Sequence, residues 1–302
     1  MVFLDLISVI TILLQGLLFG GILSLIAVGL TLIFGVSGCL NIAHGDFLVL
    51  GGIATAVLFT SSRINPFLSL IIVIPLFASV GVLLGILMRK PMSARTVELS
   101  LASSTLTTLG LSNFIEGLGN TIAPAYGYTF FTVASYSLGT VDILGVTLTN
   151  IFIVAFVTII AISFAMTILV YRTSFGRLMR ASIQDREVAI MLGADLARVS
   201  LITFAIGISL AALAGSIDVI VTFLAPSVGL GLTVDAFAVV VLGGLGSFTG
   251  SLIGGFVIGF STSAVVVVLE ELGQNGSQWA AAVPLAVLIL ILVVRPRGLL
   301  RR

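Results

Sequence analysis

The sequence predicts an all-α protein, a polytopic bundle of eight to nine transmembrane helices forming one domain over residues 1–302. Three observations lead there. Hydrophobic residues make up 59% of the chain and charged residues only 8%, against about 25% charged in soluble domains. Mean hydropathy is +1.32. Apolar runs of about 20 residues, long enough to cross a bilayer as helices, recur along the whole length. Backbone groups in lipid must be satisfied internally, by helices or a closed barrel. The runs are continuous rather than alternating, which excludes the barrel.

In order, the apolar segments are 7–35, 46–60, 65–88, 97–117, 148–170, 199–224, 233–246, 250–269 and 279–294. The opening MVFLDLISVI has no basic n-region and runs into an apolar stretch too long for a signal peptide, so it reads as retained. The second and seventh segments are short for full spans and read as half-helices or tilted partners. If 46–60 crosses fully, the N-terminus lies outside and there are nine crossings. If it is re-entrant, the N-terminus lies inside and there are eight.

Charge placement sets the orientation of the rest. Arg89, Lys90 and Arg95 follow the third segment. Arg172, Arg177, Arg180, Arg186 and Arg198 follow the fifth, and Arg295, Arg297, Arg301 and Arg302 close the chain. The stretch 118–147 has no Lys or Arg. The positive-inside rule therefore puts 89–95, 172–198 and the C-terminus in the cytoplasm and 118–147 outside. Aromatic residues of that outer stretch, among them Tyr126, Tyr128, Phe130, Phe131 and Tyr136, read as an interfacial belt. Asp218 and Asp235 are expected near the outer ends of their segments, facing solvent.

Chemistry is narrowly bounded. Cys39 is the one cysteine, His44 the one histidine and Lys90 the one lysine. A disulfide frame, a multi-histidine site and a Gly-Lys-Ser/Thr phosphate loop are thereby excluded. No nucleophile–base pair is recognisable, and no cofactor, metal or nucleic-acid partner is expected in this chain.

Two polar features stand out against the oil. Asn41-Ile42-Ala43-His44-Gly45-Asp46 places Asn41, His44 and Asp46 beside a membrane segment, where polar groups are costly unless they face a cavity or an interface. They read as pathway lining, or as a helix start capped by Asn41 or Asp46. Thr105, Thr108, Ser112 and Glu116 recur at spacings of 3, 4 and 4, one face of a helix, with Asn113 beside them. That stripe reads as a water-lined path for a polar solute, or as hydroxyls bonding their own backbone. FLVLGG at 47–52 and VVVLGG at 239–244 hint at an internal repeat.

The stretch 172–198 is the longest charged interruption. Met179, Ile183 and Ile190 recur within it at helical spacing, predicting a short amphipathic helix. It reads as a membrane-surface helix or as a peg for a cytoplasmic partner.

Residues Gly176-Arg177-Leu178-Met179-Arg180-Ala181 and Asp185-Arg186-Glu187-Val188-Ala189-Ile190-Met191-Leu192-Gly193-Ala194 resemble the coupling-helix region of ABC-importer permeases, and more narrowly the branched-chain amino-acid permease family. Leu40-Asn41-Ile42-Ala43-His44-Gly45-Asp46-Phe47, Val241-Leu242-Gly243-Gly244-Leu245-Gly246-Ser247 and Pro296-Arg297-Gly298-Leu299 extend the resemblance over nearly the whole chain. The family often has Glu at the position of Asp46, and urea and short-chain amide permeases share the scaffold. The resemblance implies an inner-membrane permease subunit that binds no cofactor itself. Its implied partners are a second, homologous or identical permease, two cytoplasmic subunits that bind and hydrolyse ATP, and a periplasmic solute-binding protein. By position, Arg177, Arg180, Asp185, Glu187, Ala189 and Gly193 would lie at or near the ATPase contact. The rival from the residues alone is an ion-coupled secondary transporter using Asp46, His44 or Glu116.

Overall fold

The computed structural model describes residues 6–92, 96–125, 130–133, 136–143, 146–191, 193–295 and 298–299. Arg95, Tyr126, Tyr128, Leu192, Pro296, Arg297, Arg301 and Arg302, which carried parts of the charge, aromatic and motif readings, lie outside the described residues. Among those described are eleven α-helices: α1 (Leu6–Ser37), α2 (His44–Ser62), α3 (Pro66–Met92), α4 (Val97–Ala125), α5 (Asn150–Arg172), α6 (Ser174–Gln184), α7 (Arg186–Met191), α8 (Leu196–Val221), α9 (Gly229–Gly243), α10 (Phe248–Glu271) and α11 (Val283–Val294). A β-hairpin, β1 (Thr140–Ile143) with β2 (Val146–Thr149), precedes α5. Every expected apolar segment is a helix. Seven helical segments among the described residues are long and apolar enough to cross a membrane: α1, α2, α3, α5, α8, 226–243 and α10.

The helix ends follow local chemistry. Gly38, at φ +69°, ends α1, and its N–H donates to the Phe34 carbonyl. A glycine takes this left-handed conformation without a Cβ clash. Thr173, Asp195 and Ser247 cap α6, α8 and α10 by accepting the N–H groups of Gly176, Arg198 and Gly250.

α1 from Gly16 onward and α8 from Thr203 onward form the centre and are mostly buried. α10 packs on α1 at glycines: a Cβ on Gly259 would sit 2.3 Å from Gly20 Cα, and one on Gly255 would sit 2.5 Å from the Ser24 nitrogen. Such close approach lets polar groups join the helices, and Thr31 Oγ1 lies 2.5 Å from Ser251 Oγ. α3 and α5 stand outside and expose Ile71, Leu83, Val157 and Phe164, an oily surface suited to lipid.

The bundle has two ends. Arg89, Arg186, Leu196 and the end of α1 at Val36 and Ser37 line one hollow, so the basic segments gather at one end. The opposite, far end holds the start of α1, where Ser8 hydrogen-bonds Glu271 at the end of α10. α1 therefore begins at the far end. Two of the aromatics of 118–147 meet other rings of the chain. Tyr136 sits between Phe59 and Phe67 at centroid distances of 6.0 and 6.2 Å, and Phe130 meets Phe223 at 5.2 Å.

Three expectations need correction. The 172–198 helix is two helices, because Asp185 is extended (φ −153°, ψ 108°) and breaks it. Met179 and Ile183 turn to the bundle while Ile190 is exposed. Neither Asn41 nor Asp46 caps α2, whose N-cap is Ala43 with no side-chain bond. Asp235 lies two turns inside α9 and is half-buried, not at an outer end; Asp218 is also half-buried and accepts from Thr222 Oγ1 at 2.9 Å.

Candidate functional site

α2 and α9 both begin midway through the bundle and run to opposite ends. Gly29 of α1 places the level: a Cβ there would be 2.7 Å from the Gly207 carbonyl, near the middle of α8, and 3.2 Å from His44 Nε2. From that level α2 runs to the far end, where Phe59 meets Tyr136. α9 runs to the basic end, where the Leu299 N–H donates to Leu242. Their first turns meet head to head. A Cβ on Gly45 would fall 2.0 Å from the Gly229 carbonyl, and one on Gly229 would fall 2.1 Å from Asp46 Oδ1.

Segment 38–43, which carries the chain from the end of α1 back to mid-depth, needs side-chain partners for the Leu40 carbonyl and for the N–H and carbonyl of Ile42. Two threonines supply them. Thr108 of α4 donates to the Leu40 carbonyl (3.0 Å) and accepts the Ile42 N–H (3.1 Å). Thr233 of α9 accepts the Gly45 N–H and donates to the Ile42 carbonyl, both at 2.8 Å. Non-helical backbone at membrane depth is tolerated only where protein supplies such partners. Thr233→Val is therefore expected to lower stability by about 1–3 kcal/mol, leaving a buried donor and acceptor unpaired. Thermal unfolding in detergent checks this.

The structure brings together most of the expected pathway residues. Asn41, His44 and Asp46 are buried at the meeting of α1, α2 and α9. His44 Nε2 lies 3.1 Å from the Ile26 carbonyl. Ser112 and Glu116 of α4 lie near the Asp46 carboxylate. The Asn41 amide, His44 Nδ1 and Asp46 Oδ2 are buried with no hydrogen-bond partner among the described residues. Thr105 is half-buried, and Asn113 is exposed on another face of α4, apart from this cluster. Sequence reading missed Thr233 and the Gly45–Gly229 contact. A threonine opening an otherwise apolar run was the available signal.

At the basic end, Arg177, Asp185, Glu187 and Gly193 are exposed, while Ala189 is buried and Arg180 half-buried. The Arg180 guanidinium lies 5.1 Å from the Tyr171 ring centroid, a cation–π contact. Tyr171 Oη is 2.8 Å from Thr249 Oγ1 at the start of α10. Asp185 accepts the Val188 N–H at 3.0 Å and so starts α7. Gly193 has φ +84°.

Comparison with known proteins gives the same scaffold a lineage. The chain is 27% identical over 306 aligned positions to the high-affinity branched-chain amino acid transport system permease protein BraD of Pseudomonas aeruginosa, covering 96% of this chain and 95% of that one. It is equally similar to the corresponding permease protein LivH of Salmonella typhimurium, covering 95% and 94%. PsaBC from Streptococcus pneumoniae, solved in complex with Fab, matches at TM-score 0.50 and 11% identity, covering 95% of this chain and 92% of that chain, and so shares the fold. The model of the branched-chain amino acid transport system permease component matches residues 12–292. The chain belongs to that family of permeases, a multi-span membrane protein of transport and not an enzyme.

Proposed function

We propose that this chain is the membrane-spanning subunit of an ATP-driven importer of branched-chain amino acids in the cell inner membrane. The basic end faces the cytoplasm, as Lys/Arg-rich ends do, and the C-terminus lies there. Two ATP-hydrolysing subunits bind that end. A second permease pairs with this chain, and a periplasmic binding protein delivers solute to the far end.

The observation that carries the reading is the surface of α6 and α7. Met191 is 82% exposed, with Ile190 and Val188 also exposed beside Arg186 and Glu187. An apolar tip ringed by charge is the composition of a docking site for another protein. The opposite face of α6 is sealed to the bundle: a Cβ on Gly176 would sit 2.3 Å from the Leu169 carbonyl, and Met179 is fully buried. The outward face is thus left for a partner that moves it.

The test is uptake into liposomes by the complete assembly. Leucine uptake should require ATP and should not be driven by a proton or sodium gradient alone. Ion-driven uptake without ATP overturns the reading. Met191→Asp with Ile190→Asp should weaken ATPase binding by about 2 kcal/mol, roughly 30-fold, as loss of an interface anchor does. Pull-down of the ATPase subunits measures this, with the permease still inserted. Glu187→Lys is expected to lower uptake in the same direction.

A further inference from the structure

A hollow of about 200 Å³ lies at the basic end, where α3 and α8 part. The two helices run antiparallel. Ser209 Oγ donates to the Ile74 carbonyl at 3.2 Å. A Cβ on Gly81 would fall 2.7 Å from Ala205 Cα, and one on Gly85 would fall 2.9 Å from Leu201 Cδ2. One further turn along α3 is Arg89, and one turn back along α8 is Ala197. The contact ends there, because α8 starts at Leu196 and α3 stops at Met92. Val36 and Ser37, the last residues of α1, and Arg186, the first of α7, close the space.

Charge in this hollow has one sign. Arg89 and Arg186 reach it from different helices, both are exposed, and no ion pair holds either among the described residues. No Asp or Glu lines it among the described residues. The acidic residues nearest in sequence are engaged or turned outward. Asp185 accepts the Val188 N–H, Asp195 pairs with Arg198 at 2.9 Å, and Glu187 is exposed outside the lining. Ser200 adds a hydroxyl. Two guanidinium groups and a hydroxyl are the donors that phosphate oxygens accept. On the bundle side of Arg89 the surface turns oily. Val82, Leu83, Ile86 and Leu87 are exposed on the two turns of α3 that lead to it. Val82 and Ile86 share a face with Arg89, at i, i+4 and i+7. A free anion or an acidic side chain makes no use of such a strip; the acyl chains of a phospholipid do.

We propose that this hollow binds the phosphate of an anionic phospholipid from the leaflet at the basic end. Arg89 and Arg186 clasp the phosphate, and an acyl chain lies along Val82 and Ile86. Basic pockets between membrane helices take anionic headgroups in this way. Because Arg186 opens α7, the lipid joins that helix to α3. The site is independent of the solute carried.

The test is native mass spectrometry of the complete assembly in detergent, titrated with phosphatidylglycerol. Wild type should retain phosphatidylglycerol in preference to phosphatidylcholine. Arg89→Gln should weaken phosphatidylglycerol binding about fivefold, and Arg89→Gln with Arg186→Gln about thirtyfold, from the usual contribution of each basic residue near an anionic lipid surface. Arg89→Gln alone leaves α6 and α7 as they are, so its effect is read with the ATPase subunits attached. Arg172→Gln removes an exposed arginine at the same end but outside the hollow, and should leave binding unchanged. Equal weakening by Arg172→Gln would mark a diffuse field rather than a site and overturns the proposal. So does equal retention of phosphatidylcholine, or binding indifferent to both arginines of the hollow. Displacement of the lipid by millimolar inorganic phosphate overturns the lipid assignment in favour of a free anion. Phosphatidylglycerol binding that appears only after the ATPase subunits are stripped away would put an acidic side chain of the partner in the hollow, and overturns it too.

Discussion

Gly45→Val is expected to abolish uptake and to lower the Tm of the purified permease more than any surface substitution. The added Cβ would stand 2.0 Å from the Gly229 carbonyl and 2.7 Å from Thr233 Oγ1. The main obstacle is backbone, so no side chain can rotate away. The first turns of α2 and α9 would have to part, breaking the two bonds made by Thr233. Overpacking typically costs about 1–3 kcal/mol, and a rigid backbone obstacle puts this site at the upper end. Gly45→Ala should show the same effect, smaller. Gly110→Ala and Gly117→Ala are the controls, since nothing lies within 4 Å of a Cβ at either. They should leave Tm unchanged or slightly raised, as alanine favours helix. Thermal unfolding and ATP-driven uptake, measured side by side, decide the ordering.

Asp46→Ala is expected to lower both stability and uptake. The carboxylate lies in the first turn of α2 and abuts the start of α9. Helix N-termini carry partial positive charge, and an anion near one contributes about 0.3–1 kcal/mol, up to about 2 when partly buried. One anion here serves two such ends, so its loss should cost about 2 kcal/mol. Asp46→Asn keeps the shape and removes the charge, and its Tm should fall between those of wild type and Asp46→Ala. If the asparagine variant matches wild type in Tm, hydrogen bonding rather than charge holds the junction.

The helical character of the chain was legible because continuous apolar runs have few physical outlets. The nine segments read from hydropathy are nine of the observed helices. The short second and seventh segments were legible as anomalies. Their head-to-head meeting was not, because it depends on Gly45 and Gly229 touching across more than 180 residues of chain. The FLVLGG and VVVLGG match misled on register. Residues 47–52 lie near the start of α2, whereas 239–244 end α9, with Gly244 at φ +97°. Periodicity also misread 172–198 as one helix, since Met179, Ile183 and Ile190 keep the phase while Asp185 interrupts the backbone. Of the polar stripe, Ser112 and Glu116 converge on Asp46, because they share the face of α4 turned to α2. Thr108 instead secures the backbone of 38–43, a task that spacing alone could not separate from lining a path.

The fastening of α6 has a mechanical consequence. Arg180 on Tyr171, Tyr171 on Thr249, and Ile183 against Gly35 and Gly246 tie it to α5, α10, α1 and the turn before α10. It is welded to the bundle on three sides. α7 hangs from it between two non-helical residues, Asp185 and Gly193. A partner gripping α7 is therefore coupled through a short swivel to a stiff yoke. Tilting at such a grip would be taken up first in the swivel, and larger strokes would reach the basic-end termini of α1, α5 and α10 together.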